Sequence, residues 1–283
     1  MAKVHTGIPS LSSKNRAPSS ASLRQLLQSP RVLVGGIASE YLRPSLFKLY
    51  RQVGFDFAFI EYEHSWFEPT MLAASVLAAR DEGLPIIAKT PQLERSEVTK
   101  LLEIGVTGIQ LPRTESRSEV ETLRSYLKYP PLGTRAIAPG YGNSNYRQPS
   151  DWRAWMDEQN EETVLIAHIE TSTGYERAEE IISTPGVDMV YVGPGDFSIA
   201  MGHPGKYDHP DVVGPMEELL AICLRHNVAF GTTAGGIEAA QRWIDKGARF
   251  FEAADELSFI LAGASHLVCQ YREASGVAAS RSS

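Results

Sequence analysis

The segment Val164-Leu165-Ile166-Ala167-His168-Ile169-Glu170 decides how the rest of the chain is read. Successive side chains of a strand point to opposite faces, so Leu165, Ala167 and Ile169 share one face and Ile166, His168 and Glu170 the other. The first face is wholly apolar. It predicts a strand covered on that side by helices, with His168 and Glu170 turned toward an interior. A carboxylate there is costly unless a cation or several donors compensate it.

Working outward, seven further short apolar or β-branched runs have the same look, at 32–37, 57–62, 85–89, 108–111, 189–192, 229–232 and 249–253. Between them apolar residues fall at helical spacing, for example Val98, Leu101, Leu102 and Ile104, or Tyr175, Ala178, Ile181 and Ile182. Strands that alternate with helices predict an α/β protein with a parallel sheet. Eight such units predict a closed (β/α)8 TIM barrel; an open doubly wound sheet is the competing arrangement, but no GxGxxG follows the first strand. One connection is long. Residues 129–157 contain Pro130, Pro131, Gly133, Pro139, Gly140 and Gly142, and loops of that length commonly serve as lids. A lid is expected, with a decorative insertion as the alternative and Tyr129, Tyr141 and Tyr146 as its candidate substrate contacts.

Composition narrows the function. At 283 residues, with 43% hydrophobic and 22% charged residues, the chain has material for one large core. A net charge of -7 leaves no basic field for a phosphate backbone, so no nucleic-acid partner is expected. No run approaches the roughly 20 apolar residues of a membrane span, so a membrane role is not expected either. Cys223 and Cys269 form no CxxC and read as buried thiols of a reducing compartment. Residues 1–39 lack Asp and Glu and are rich in serine. That suits either a flexible tail or an organellar transit peptide; the tail, with a cytoplasmic protein, is preferred. The expected organisation is a tail at 1–22, one catalytic barrel at 23–275 and a second tail at 276–283.

Barrel enzymes place their chemistry at the carboxyl ends of the strands. Four ends carry charge: Glu61-Tyr62-Glu63-His64, Lys89, His168 to Glu170, and Gly193-Pro194-Gly195-Asp196. Glu170 and Asp196 come from neighbouring strands, and two adjacent carboxylates repel unless they share a cation. All-oxygen ligands suit Mg²⁺ or Mn²⁺. A buried salt bridge from Glu170 to Lys89 or Arg113 explains the same residues equally well. His64 is a candidate general base, with Glu61 orienting its ring. The Gly193–Gly195 turn offers backbone N–H groups to an anion. The glycine-containing turn after Thr232 reads as a plain loop.

The segments Ile60-Glu61-Tyr62-Glu63-His64, Lys89-Thr90-Pro91, Gly105 to Pro112, Tyr129-Pro130-Pro131-Leu132-Gly133-Thr134-Arg135, Ile169-Glu170 and Val192-Gly193-Pro194-Gly195-Asp196-Phe197-Ser198 occur in that order. In this the chain resembles the HpcH/HpaI family of class II, metal-dependent pyruvate aldolases, which includes the 4-hydroxy-2-oxoheptanedioate and 2-dehydro-3-deoxyglucarate aldolases. The resemblance runs from about Leu23 to Leu267. It implies a barrel of the phosphoenolpyruvate/pyruvate-binding type in which Glu170 and Asp196 hold Mg²⁺, Mn²⁺ or Co²⁺. The metal would chelate a pyruvate-like 2-oxo acid and stabilise its enolate, while N–H groups of Gly195 and Asp196 hold the carboxylate. His64, through a water, would move the proton of the aldol hydroxyl. The resemblance also implies a homohexamer, a trimer of dimers, that exchanges its last helix. Leu257, Ile260, Leu261, Ala264, Leu267 and Val268 form an apolar stripe there.

Three positions depart from the family's pattern: Glu61 stands for Asp, Lys89 for Arg on the third strand, and His168 for Gln. Lysine supplies one compact charge where arginine supplies a planar fork. His168 is assigned a hydrogen bond to substrate, with metal ligation as the other option. The expected activity is an aldolase reaction, cleaving or forming a 4-hydroxy-2-oxo acid from pyruvate and an aldehyde. Oxaloacetate decarboxylation or an enolate condensation is the alternative within enzymes, and a non-catalytic keto-acid-binding barrel the alternative outside them.

Overall fold

Eight short runs whose alternate residues are apolar on both faces cannot stay in water, and they bury both faces by closing on themselves. A computed structural model describes residues 21–275; positions 1–20 and 276–283, where the tails are expected, lie outside the described residues. The strands are β1 (Leu33–Ala38), β2 (Phe57–Ile60), β3 (Ile86–Lys89), β4 (Gly108–Leu111), β5 (Val164–His168), β6 (Met189–Val192), β7 (Ala229–Thr232) and β8 (Phe250–Asp255). Each pairs in parallel with the next, and β8 pairs with β1, so the sheet is a closed (β/α)8 barrel. The predicted runs and the observed strands differ by two residues or fewer at each end.

The alternation read from β5 holds. Leu165, Ala167 and Ile169 pack outward among the helices with Phe47, Val98, Leu219 and Phe251. Val164 and Ile166 point inward with Phe57, Phe59, Ile87, Met189 and Phe250. Phe57 and Phe250 stack across the axis at 4.0 Å, and only glycine fits beside them at position 35, where an added Cβ would lie 2.1 Å from the Phe57 ring.

A short helix, Leu23–Leu27, plugs the amino-terminal end of the barrel with Leu23 and Leu26. Ser22 caps it by accepting from the Gln25 N–H. Arg24 pins it there: its guanidinium meets Asp188 and donates to the carbonyls of Glu161 and Thr163.

The long connection is not a lid. It leaves the helix Arg117–Leu127 and re-enters the sheet through Trp152–Glu162 and β5, so it is a helix-to-strand connection, and in a parallel barrel those lie at the end opposite the active site. Gly142 packs against the end of the helix Arg95–Ile104, with room for no Cβ because the Ile104 carbonyl oxygen would stand 2.2 Å away. Lys128 Nζ donates to the carbonyls of Asn160 and Thr163 just before β5. Tyr129 is buried under the Arg135 guanidinium at 4.6 Å. The three loop tyrosines are therefore floor residues rather than substrate contacts.

The last helix, Glu256–Ala274, starts at the mouth, where the Glu256 carboxylate accepts the backbone N–H groups of Ser39, Glu40 and Tyr41. Beyond that anchor it runs with Phe259, Ile260, Leu261, Leu267, Val268 and Tyr271 exposed. No helix among the described residues is long and apolar enough to cross a membrane.

Candidate active site

At the carboxyl end the inward positions of successive strands turn polar. The layer reads Ile37, Glu61, Lys89, Gln110, His168, Tyr191, Thr233 and Glu252 around the axis, all lining one cavity that opens at the mouth. Ile37 alone in it is apolar.

Lys89 ends β3. The register that sets Ile60 beside Ala88 brings Glu61 next to it, and its ammonium lies 2.8 Å from Glu61 Oε2 and 3.0 Å from Glu63 Oε2. Burial works against that charge, but the two carboxylates outweigh it and hold the pKa of Lys89 above its ordinary value. Glu61 also accepts the backbone N–H groups of Glu63 and His64. It is thereby fully engaged and does not reach the imidazole it was expected to orient. The neighbour of the His64 ring is Glu63, with Nε2 3.5 Å from Oε2. His64 itself is exposed at the rim.

Neither alternative salt bridge to Glu170 forms. Lys89 is committed elsewhere, and Arg113 meets Glu170 through its backbone N–H, 2.8 Å from Oε1, not through its guanidinium. Glu170 is 5% exposed and has no cationic partner among the described residues other than the His168 ring. Burial pushes its pKa up to about 7, against the Arg113 N–H and the Lys89 charge and assisted by the nearby Asp196 and Glu63.

His168 completes this corner. Its burial, and then the charge of Lys89, hold the imidazole pKa well below the usual value, so the ring is neutral. The Gly193 N–H donates to Nε2 at 3.2 Å. The ring proton then sits on Nδ1, 3.3 Å from the side-chain amide of Gln110. Turning that amide by a half-turn presents its oxygen to the proton and gives the otherwise unpartnered Gln110 Oε1 a donor. Nε2 is consequently an acceptor, and Glu170 Oε2 faces it at 3.0 Å. Two acceptors that close are held only by a proton or a cation between them. A hard divalent cation with ligands at about 2.1 Å sets adjacent ligands about 3.0 Å apart. Asp196 stands in the first turn of the helix Pro194–Ala200, near enough to Glu170 to raise its pKa. His168 and Glu170 offer donors of the kind a divalent cation takes, and Asp196 faces the same corner without its carboxylate closing within 4.8 Å of both of them.

Gly195 is open to the cavity, with no atom within 4 Å of where its Cβ would be. First-turn N–H groups such as those of Gly195 and Asp196 have no partner within their own helix, which leaves them for an anion.

Three members of the inward layer went unremarked in the sequence. Tyr191 lies edge-on to His168 at 5.0 Å between ring centres and shares a 2.6 Å hydrogen bond with Thr233 Oγ1. Gln110 meets His168, and Glu252 meets Tyr191. The parity that singled out His168 in β5 singles out Tyr191 after Met189 and Glu252 after Phe250.

A sequence profile of the HpcH/HpaI aldolase/citrate lyase family matches residues 42–261. The 2-dehydro-3,6-dideoxy-6-sulfogluconate aldolase of Pseudomonas putida is 28% identical over 215 residues, 76% of this chain and 83% of that protein. A 5-keto-4-deoxy-D-glucarate aldolase of Salmonella arizonae is 27% identical over 220 residues, covering 78% and 85%. The crystal structure of an HpcH/HpaI aldolase from Desulfitobacterium hafniense superposes with a TM-score of 0.84 at 26% identity, covering 89% of this chain and 98% of that one.

Proposed function

Because the chain belongs to the HpcH/HpaI aldolase/citrate lyase family, we propose that it is a metal-dependent carbon–carbon lyase, an aldolase, that cleaves or forms a 4-hydroxy-2-oxo acid by way of the enolate of pyruvate. The observation that carries this reading is the 3.0 Å approach of His168 Nε2 and Glu170 Oε2 in a buried corner where, among the described residues, no lysine or arginine side chain pairs with the carboxylate.

Glu170 and Asp196 hold the metal, which is Mg²⁺, Mn²⁺ or Co²⁺; when bound it supplies Lewis-acid stabilisation of the negative charge that develops on the keto oxygen. The first-turn N–H groups of Gly195 and Asp196 take the substrate carboxylate. Lys89, fixed by Glu61 and Glu63, directs a positive field into the cavity where that charge grows. His168, neutral and unable to donate from Nε2, orients the substrate beside Glu170. His64 at the rim moves the hydroxyl proton of the aldol through a water. Residues 23–275 act as one catalytic unit in a cytoplasmic homohexamer, a trimer of dimers. The exposed apolar side of the helix Glu256–Ala274 supports exchange of that helix between subunits; the two cysteines are unpaired, which suits a reducing compartment, with Cys223 buried as expected and Cys269 exposed on the last helix rather than buried.

Incorporation of deuterium into the methyl group of pyruvate in D2O, followed by mass spectrometry with Mg²⁺, Mn²⁺ or Co²⁺, tests the proposal. Metal-dependent exchange is expected, and it should vanish with a chelator. No exchange with any of the three ions would reduce the likeness to a shared fold. Carbon dioxide release from oxaloacetate without use of an aldehyde would move the reaction from aldol cleavage to decarboxylation.

A further inference from the structure

Glu252 has no part in the reading above, yet it lines the same cavity. It is 3% exposed. The Tyr191 hydroxyl, which shares a hydrogen bond with Thr233 Oγ1, is close enough to the carboxyl to favour its charged form, while Oε1 is buried with no partner. An unpaired buried oxygen works against folding. An apolar residue would avoid that cost, as Ile37 does on the adjoining strand in the same layer.

The charged and titratable groups that act on Glu252 are Lys89, Glu61 and Tyr191; Ile37 and Thr233 bring no charge. Lys89 is held by Glu61 and Glu63 rather than by Glu252. Burial, offset in part by the Tyr191 hydrogen bond and by Lys89, pushes the carboxyl up to about 8. Near neutrality it therefore carries a proton inside the substrate cavity. Beside it the Tyr191 hydroxyl bonds to Thr233 Oγ1, and Thr233 is only partly buried, so the pair leads from the carboxyl toward solvent. A proton to give, an unpartnered oxygen and a path for replenishment are what a general acid requires.

We infer that Glu252 exchanges a proton with the methyl-bearing carbon of the bound keto acid, so that the protein, not bulk solvent, quenches the enolate left when the carbon–carbon bond breaks. This rests on the lyase reading. In the step, the enolate π pair takes the proton at carbon 3 and the keto group re-forms as the O–H bond of Glu252 breaks. The resulting carboxylate regains a proton from solvent through Thr233 and Tyr191. In reverse, the carboxylate removes a methyl proton from pyruvate.

The test compares wild type, Glu252→Gln and Glu252→Asp in the deuterium-exchange assay, with pyruvate affinity in the presence of Mg²⁺ measured by calorimetry. Glu252→Gln should bind pyruvate within about threefold of wild type yet exchange about 100-fold more slowly. Glu252→Asp, which keeps a titratable proton, should recover part of the rate. Wild-type exchange should rise with pH toward about 8, because the carboxylate form takes the proton, and that rise should be missing in Glu252→Gln. Undiminished exchange in Glu252→Gln overturns the inference alone. Loss of pyruvate affinity in step with exchange overturns it in favour of a positioning role. A wild type that exchanges with no metal at all takes the lyase reading down as well.

Discussion

Replacing Glu170 by glutamine should make the metal-free protein more stable at pH 8 and deaf to the metal. The amide keeps both existing contacts, since its oxygen accepts the Arg113 N–H and its NH2 donates to His168 Nε2, which faces a carboxylate oxygen at 3.0 Å in the wild type. What disappears is a buried charge without a counter-charge. Its pKa rises on folding from 4.5 to about 7, equivalent to about 3 kcal/mol at 1.36 kcal/mol per pH unit. The sign follows from the raised value. The wild-type contribution is fully present below 4.5 and is lost as pH climbs through about 7. Denaturant melts of the two metal-free proteins should therefore nearly coincide at pH 4.5 and diverge by about 3 kcal/mol at pH 8, with the variant above. For a domain of this size that is roughly 6–12 °C in Tm. Glu252 titrates in both proteins and cancels in the difference. Adding Mn²⁺ at about 100 times its Kd should restore about 2.7 kcal/mol to the wild type and nothing to the variant. Parallel pH curves, or equal stabilisation by the ion, would refute the claim that this corner is a cation site waiting for its charge.

Lys89→Met leaves Glu61 and Glu63 facing one another without their ammonium; thermal melts should show a loss of about 3 kcal/mol, and kcat/KM should fall on the order of 100-fold. Gly142→Ala drives a Cβ against the Ile104 carbonyl and should cost about 1–3 kcal/mol while KM for the keto acid stays within twofold; a large KM change would revive the lid. Arg24→Ala unpins the barrel plug from Asp188, Glu161 and Thr163, with an expected loss of about 2 kcal/mol and faster hydrogen exchange over residues 22–28 at unchanged kcat.

The period-2 pattern of Val164–His168 was enough to assign inside and outside for β5, because one wholly apolar face leaves no choice. The same rule reached Glu170 and His168, and adjacency of strands five and six reached Asp196. Other features depend on facts that spacing does not carry. That Lys89 is captured by Glu61 and Glu63, and so denied to Glu170, follows from the β2–β3 register, which is set by packing of side chains far apart in sequence. Of the three contacts that tie up Glu61, the one to Lys89 has the same origin, while those to the Glu63 and His64 N–H groups belong to the local turn after β2. The lid was a different kind of failure. Its length suggests a cover for the mouth, but its order, after a helix and before a strand, assigns it to the amino-terminal end. Glu252 has the inward parity of Phe250, and what spacing does not carry is the burial that sets it apart from an ordinary strand-end carboxylate.

The placement of the 129–157 excursion also separates two things that barrel enzymes often entangle. Tyr146, exposed on that excursion, sits on the far side of the sheet from Glu170, so a fluorophore or affinity handle grafted there would sense unfolding while remaining blind to turnover. Inserts and sequence drift in that segment are likewise insulated from catalysis, and libraries aimed at new acceptors can leave it untouched and concentrate on the rim.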